Sequence, residues 1–262
     1  MPLVPLTGLL ADAVAGRYAV GYFEAWDGAS LEAVLDAAEA ERSPVILGFG
    51  FLVADRAELA DGSIEEFARL GGAAATRSTV PVSLLLNEVH SLEEAVRGLD
   101  AGFNAAMLCT SDVGAVSRLV GAAHDRGAAV EGELGTLPDA NGAEIDASRA
   151  SLTDPDDAAA FVEATGVDCL AVSFGNVHML EGRSADVDLE RLEAVHRRVP
   201  VPLVVHGGTS FPRDAVDPAI ARGVAKFNVG TALKRAFGDA GHHGLTEVVR
   251  DLIRLYGSSG RG

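Results

Sequence analysis

Lysine is nearly absent from this 262-residue chain: it occurs only at positions 226 and 234, so almost all of the 21 basic residues are arginine. Lysine chemistry has two places to reside. Positive charge is scarce overall, since 38 acidic residues give a formal net charge of -17 and no cluster of Lys and Arg offsets it. Nucleic acid and anionic membrane are poor partners for such a chain. Cysteine is limited to Cys109 and Cys169, both inside apolar runs rather than in a spaced framework, which fits a reducing cytoplasm. The segment MPLVPLTGLLADAVAGRY lacks a basic region followed by a long apolar stretch, so neither a signal peptide nor a membrane anchor is expected there. The first apolar run leads into YFEAWDGAS without G-x-G-x-x-G, which excludes a dinucleotide fingerprint at that turn.

What the chain does have is alternation. Eight short runs of Val, Ile, Leu and Ala, at 18–23, 44–50, 80–87, 105–110, 128–134, 169–175, 202–207 and 224–230, alternate with longer segments of helical period. This is the pattern of repeated βα units. Helix starts are read at Ser30, Ser91, Ser111 and Asp154-Pro155, and helix ends at Gly102, Gly127 and Gly166. Strands of near-continuous apolar character are buried on both faces, so the expected fold is α/β, a (β/α)8 TIM barrel forming one domain over residues 1–262. An open doubly wound sheet is the alternative. One long irregular stretch, 135–154, is expected to be a lid over the site.

Residues at the carboxyl ends of barrel strands converge on one mouth. Polar residues predicted there are Glu24, Asn87, Glu88, Cys109, Glu131, Glu133, His178, His206, Asn228 and Thr231. His178 and His206 stand just past two successive runs, in LAVSFGNVH and PLVVHGGTS, and two imidazoles so placed can share a metal ion. Glu88 is the candidate third ligand. Glu131 and Glu133 share one face of their strand, and a carboxylate inside a barrel needs a cation or a donor. The stretches His206-Gly207-Gly208-Thr209-Ser210 and Asn228-Val229-Gly230-Thr231 follow the last two strands, where barrels commonly bind phosphate on backbone N–H groups. The bland alternative is two tight βα turns. Lys226, which shares a strand face with Asn228, is a weak candidate for Schiff-base chemistry because that would leave the paired histidines unexplained.

YAVGYFEAWDGASLEAVLDAAEAERSPVILGFG, VPVSLLLNEVHSLEEAVRGLDAGFNAAMLCTSD, VEGELG, LTDPDDAAAFVEATGVDCLAVSFGNVH, VPLVVHGGTS and AKFNVGTAL resemble in order and spacing the class II, metal-dependent fructose-bisphosphate and tagatose-bisphosphate aldolases. The resemblance implies a (β/α)8 barrel and a divalent ion, usually zinc. It also implies cleavage of a phosphorylated ketose through an enediolate, and a homodimer or homotetramer. His178 and His206 match two of the family's metal-binding histidines, and Glu133 matches an acidic position near the metal. Gly207, Thr209, Asn228 and Thr231 match positions that hold the substrate phosphate and hydroxyls, and Gly208 and Gly230 belong to the same two stretches.

The chain also departs from the family pattern. Asn87-Glu88 stands where the family has Asp-His, so the aldehyde-side acid/base and the third histidine ligand are both replaced. Cys109 replaces an Asp, Met179 replaces a Gly, and the nearby phosphate-binding lysine is absent, with Arg183 one position further on. An amide can donate a hydrogen bond but cannot carry a proton at neutral pH. The proton work then falls to Glu88 or to Glu144 in the lid, or else the substrate differs. The expected activity is that of an aldolase-type lyase on a phosphorylated sugar. The alternatives are an isomerase or epimerase using the same enediolate, or a catalytically silent sugar-phosphate binding protein.

Overall fold

Each of the eight apolar runs forms a strand, and the strands close into a parallel barrel. In chain order they are β1 (Val20–Glu24), β2 (Val45–Gly50), β3 (Val82–Val89), β4 (Ala105–Leu108), β5 (Ala129–Leu134), β6 (Cys169–Val172), β7 (Leu203–Val205) and β8 (Val224–Val229). β1 pairs with both β2 and β8, which seals the barrel. The computed structural model describes residues 3–50, 63–141, 144–146 and 150–262.

The apolar core has two shells. Inside the barrel, Tyr22, Ile46, Leu85, Ala129 and Val204 pack in one cluster with Leu6, Leu9 and Leu10 of helix α1 (Leu6–Gly16). That helix precedes β1, and its apolar face joins the barrel interior. Outside, the strands bury their other faces under the surrounding helices, in a cluster that includes Phe23, Leu47, Leu84, Leu86, Val130, Val172 and Phe227. No helix among the described residues is long and apolar enough to cross a membrane.

The helix starts differ in detail from those expected. Ser91 and Asp154 are the N-caps of α4 (Leu92–Ala101) and α6 (Pro155–Thr165) as read from sequence. At α2 (Gly28–Glu41) the cap is Asp27, with Ser30 as its partner three residues on in a capping box. At α5 (Val113–His124) it is Asp112 rather than Ser111. The Asp27 carboxylate accepts from Ser30 N–H at 2.7 Å and the Asp112 carboxylate from Ala115 N–H at 2.6 Å, so in both helices an aspartate upstream or downstream of the expected serine does the capping.

The stretch 135–154 is not wholly irregular. Asp139–Asn141 pairs antiparallel with Glu144–Asp146, and Thr136 bridges to Ser151. The hairpin is fastened to the loop after β6, because Ala140 N–H donates to His178 O at 2.9 Å and His178 N–H to Pro138 O at 3.0 Å. Residues 142–143 and 147–149 of the expected lid lie outside the described residues.

Candidate active site

β3 delivers its carboxylate by breaking its own regularity. The pairing with β4 shifts register between Leu86 and Val89, and Glu88 within that bulge sits at φ +53°. For a residue with a Cβ this left-handed backbone costs on the order of 1 kcal/mol. It is paid where a regular strand would have aimed residues 87 and 88 to opposite faces; here both line the mouth cavity.

His206 follows β7 directly, whereas His178 lies in a loop beyond the end of β6 at Val172. That loop is held by Asn176, a residue sequence reasoning missed. Its Nδ2 donates to Val172 O at 3.2 Å and to His206 O at 3.0 Å, while its Oδ1 accepts from Phe174 N–H at 2.9 Å. Gly207, at φ +73°, lets the two segments close up, since a Cβ there would lie 2.2 Å from Val177 O. The imidazole centroids end 5.8 Å apart.

Glu88, His178 and His206 each offer one ligand atom within 4.8 Å of the others. His178 Nε2 and His206 Nδ1 are buried and have no hydrogen-bond partner among the described residues. His206 Nδ1 lies 3.2 Å from Glu88 Oε1 and 3.7 Å from Glu133 Oε1. Its other nitrogen, Nε2, is 2.8 Å from Glu131 Oε1, so a proton on Nε2 leaves the Nδ1 lone pair facing the carboxylates. Two buried imidazole nitrogens converging on a carboxylate are a donor set suited to a divalent ion, and a carboxylate behind a ligating imidazole is a recurring outer partner.

Beneath this cluster lies a charged network. Lys226 is fully buried, with Nζ 2.7 Å from Glu131 Oε2, a hydrogen bond to Asn228 Oδ1, and a position 4.7 Å from the centroid of the Tyr22 ring. Burial opposes charge on Glu131, but Lys226 and His206 overcome it and hold the carboxyl at about 2. Burial likewise opposes charge on His206, and Glu131 and Glu88 outweigh it, raising the imidazole to about 10 without a metal. Glu88 is held below its ordinary value against burial by His206, with Asn87 also hydrogen bonding to it. Glu133 is pushed up by burial.

A cavity of about 470 Å³ opens over the cluster, lined by Tyr22, Glu24, Asn87 and Glu88 and by Gly207, Thr209, Gly230 and Thr231. The family model described as fructose-bisphosphate aldolase class-II matches residues 4–260. The chain belongs to this family. Class II aldolases are metal-dependent, and membership makes the chain an enzyme of the aldolase type.

Solved structures of similar proteins include the YdjI aldolase of Escherichia coli K12, 31% identical over 99% of both chains with a TM-score of 0.84. A Coccidioides immitis protein assigned as a fructose-1,6-bisphosphate aldolase is 25% identical, over 98% of this chain and 97% of that one, with a TM-score of 0.85. The fructose-bisphosphate aldolase of Campylobacter jejuni shares the fold, with 19% identity over 100% of this chain and 97% of that one and a TM-score of 0.81.

The site residues expected from the sequence fall unevenly in the structure. Asn87, Glu88, His178, His206, Gly207, Thr209, Asn228, Gly230 and Thr231 all line the cavity. Gly208 does not; its N–H donates to Asn228 O at 2.9 Å, and a Cβ would meet that oxygen at 2.7 Å, so it serves the close packing of β7 on β8. Arg183 is exposed and stands outside the lining, as does Glu144 on the hairpin. The cations that do line the cavity are Lys234 and Arg235, which the sequence reading passed over. They follow Thr231 at the start of α9 (Thr231–Leu255), so steps of three and four residues from a predicted phosphate contact were the signal available. His90 is exposed and makes no part of the cluster. Cys109 is exposed, and Cys169 is buried with Sγ 3.7 Å from Glu131 Oε2.

Proposed function

We propose that this protein is a metal-dependent carbon–carbon lyase that cleaves a phosphorylated ketose through an enediolate, with Glu88, His178 and His206 as its metal ligands. The observation that carries the reading is the convergence of two buried imidazole nitrogens and one carboxylate within 4.8 Å of one another. A divalent ion, with zinc the reading that the donor set favours, supplies Lewis-acid polarisation of the ketone when bound. The chain's own groups do the rest. Glu131 accepts the Nε2 proton of His206 and fixes the tautomer that leaves Nδ1 free. Gly207, Thr209, Gly230 and Thr231 offer N–H and hydroxyl donors to a phosphate, beside Lys234 and Arg235. Asn87 can donate a hydrogen bond to a developing alkoxide but cannot return a proton. Of the two carboxylates expected to carry that proton, only Glu88 lines the cavity.

Metal-replete protein is expected to hold about one divalent ion per chain and to release triose phosphate from a ketose phosphate. Chelation should abolish turnover and re-addition restore it. Metal analysis that finds no ion after supplementation sinks the proposal. A second reading, an isomerase or epimerase, is favoured by Asn87 alone, since neither reaction needs an acid at the departing aldehyde. It would be recognised by solvent deuterium in recovered ketose phosphate without triose release.

Ion binding should also release protons. In the metal-free protein His206 is raised, so its contribution to stability is fully present below its unfolded value near pH 6.5. That contribution is lost as pH rises towards about 10. A ligating imidazole must be neutral, so at pH 7–8 loading expels that proton, and apparent affinity should rise roughly tenfold per pH unit. Calorimetry in buffers of different ionisation heat measures the proton directly. Affinity independent of pH between 6.5 and 8.5 would contradict the assignment of His206 as a ligand.

A further inference from the structure

Three carboxyl groups among the described residues line the mouth cavity: Glu24, Glu88 and Glu181. Their surroundings set them apart. Glu88 is the carboxylate of the ion site, 3.2 Å from His206 Nδ1, and an oxygen given to an ion is not free to carry a proton back and forth. Glu181 is partly exposed and stands 3.5 Å from Arg235 in a solvent-facing ion pair.

Glu24 differs from both. Its Oε1 is buried without a hydrogen-bond partner among the described residues, and the residue is only 6% exposed. It ends β1, whose Phe23 pairs with Val229 of β8, so it lies next to the Gly230–Thr231 turn. On the other side it pairs with Gly48 of β2. Gly50 leaves the carboxyl its place, because a Cβ there would lie 2.2 Å from Glu24 Oε1.

Burial pushes the Glu24 carboxyl well above the usual carboxylate range. Glu88 on β3 raises it further, while Lys234 on α9 and His206 after β7 pull it down. Tyr22, which shares the inner face of β1, is kept neutral by burial. Burial thus favours the neutral acid and Lys234 the carboxylate, so one group has access to both forms that a proton carrier needs. Glu88 is shifted the other way, below its ordinary value. Two carboxyls pushed apart in this manner divide an acid/base role from an anionic one.

We propose that Glu24 is the acid/base of the aldehyde side, supplying the proton transfer that Asn87 cannot. In cleavage its carboxylate takes the proton from the hydroxyl on the carbon that becomes the aldehyde. That C–O bond becomes C=O, the adjacent carbon–carbon bond breaks, and its electron pair passes to the carbon beside the ketone, giving the enediolate. Condensation runs the same step backwards, with the neutral acid protonating the new alkoxide. After cleavage Glu24 yields its proton to water as the enediolate takes one at carbon, so none is gained or lost. The assignment rests on the aldolase reading above, and it leaves Glu88 wholly to the ion.

The test compares two reactions of one metal-replete preparation. Exchange of the dihydroxyacetone phosphate α-proton with deuterated solvent needs the ion and the enediolate but no aldehyde. Condensation of dihydroxyacetone phosphate with glyceraldehyde or glyceraldehyde 3-phosphate, whichever the unmutated protein uses faster, needs the aldehyde-side proton as well. Glu24→Gln keeps the size of the side chain and removes the ionisable group. It is expected to lower condensation by about 10²–10⁴, the usual weight of general acid/base assistance, while exchange stays within about threefold. The comparison is a ratio within one preparation, so it does not depend on the fraction folded. A merely structural residue would lower both rates together, and either that result or undiminished condensation overturns the proposal. Unmutated protein that exchanges but condenses neither aldehyde overturns the role of Glu24 alone. Absence of exchange in the unmutated protein overturns the aldolase reading together with it.

Discussion

Lys226→Met is expected to lower the unfolding free energy by about 3–5 kcal/mol, the usual cost of removing one partner from a buried ion pair. Lys226 and Glu131 are both fully buried, 2.7 Å apart, inside the barrel. Methionine fills much the same volume, so the loss comes from the charge left on Glu131 rather than from a cavity. Glu131 would keep only His206 as a charged partner, at 2.8 Å. Removing both charges together should behave differently. Lys226→Met with Glu131→Leu exchanges an ion pair for apolar side chains, which is often neutral or stabilising, and most of the lost stability should return.

Function should not return with it. His206 would then have no carboxylate on Nε2, and loss of such an outer partner typically costs about 10–100-fold in metal affinity. Denaturant unfolding of the two variants, beside metal titration of each, measures both halves. If Lys226→Met unfolds within 1 kcal/mol of the unmutated protein, the network does not hold the site as argued. The ledger also gives Lys226 a structural place that leaves no room for Schiff-base chemistry, since its amine is already committed to Glu131 and Asn228.

The barrel was legible because its strands are buried on both faces and therefore written as continuous apolar runs, each followed by a helix of opposite period. His206 was legible because β7 ends one residue before it. His178 was found for a less secure reason: β6 stops at Val172, and the histidine reaches the site only through a loop pinned by Asn176. A side chain that acts on backbone carbonyls leaves no periodic mark in the sequence. The bulge that turns Glu88 inward was equally invisible, because register is a property of the pair β3–β4 and not of either strand. Glu131 and Glu133 were correctly read as sharing one face, yet their division of labour depends on Lys226, almost a hundred positions away in the chain. The cations of the mouth were misread towards Arg183, which resemblance favoured, when the turn of α9 after Thr231 supplies Lys234 and Arg235 instead.

Glu88→Gly is expected to abolish tight metal binding while leaving the metal-free fold close to its original stability. The backbone at Glu88 is already at φ +53°, a conformation glycine adopts freely and other residues only at a cost of roughly 1–2 kcal/mol. Substitution also removes a carboxylate whose charge raises both Glu24 and Glu133 beyond what burial alone does. Against these gains stands the loss of the contact with His206, which still has Glu131. The terms are of similar size, so unfolding free energy should stay within about 1 kcal/mol. Metal affinity should fall by more than the 10–100-fold that losing an outer partner costs, and triose phosphate release should fall with it. A residue kept only for structure would give the reverse, a less stable protein with its ion retained. If the variant still binds one ion per chain and turns over, the third donor is not Glu88, and Glu133, 3.7 Å from His206 Nδ1, takes its place as the residue to remove.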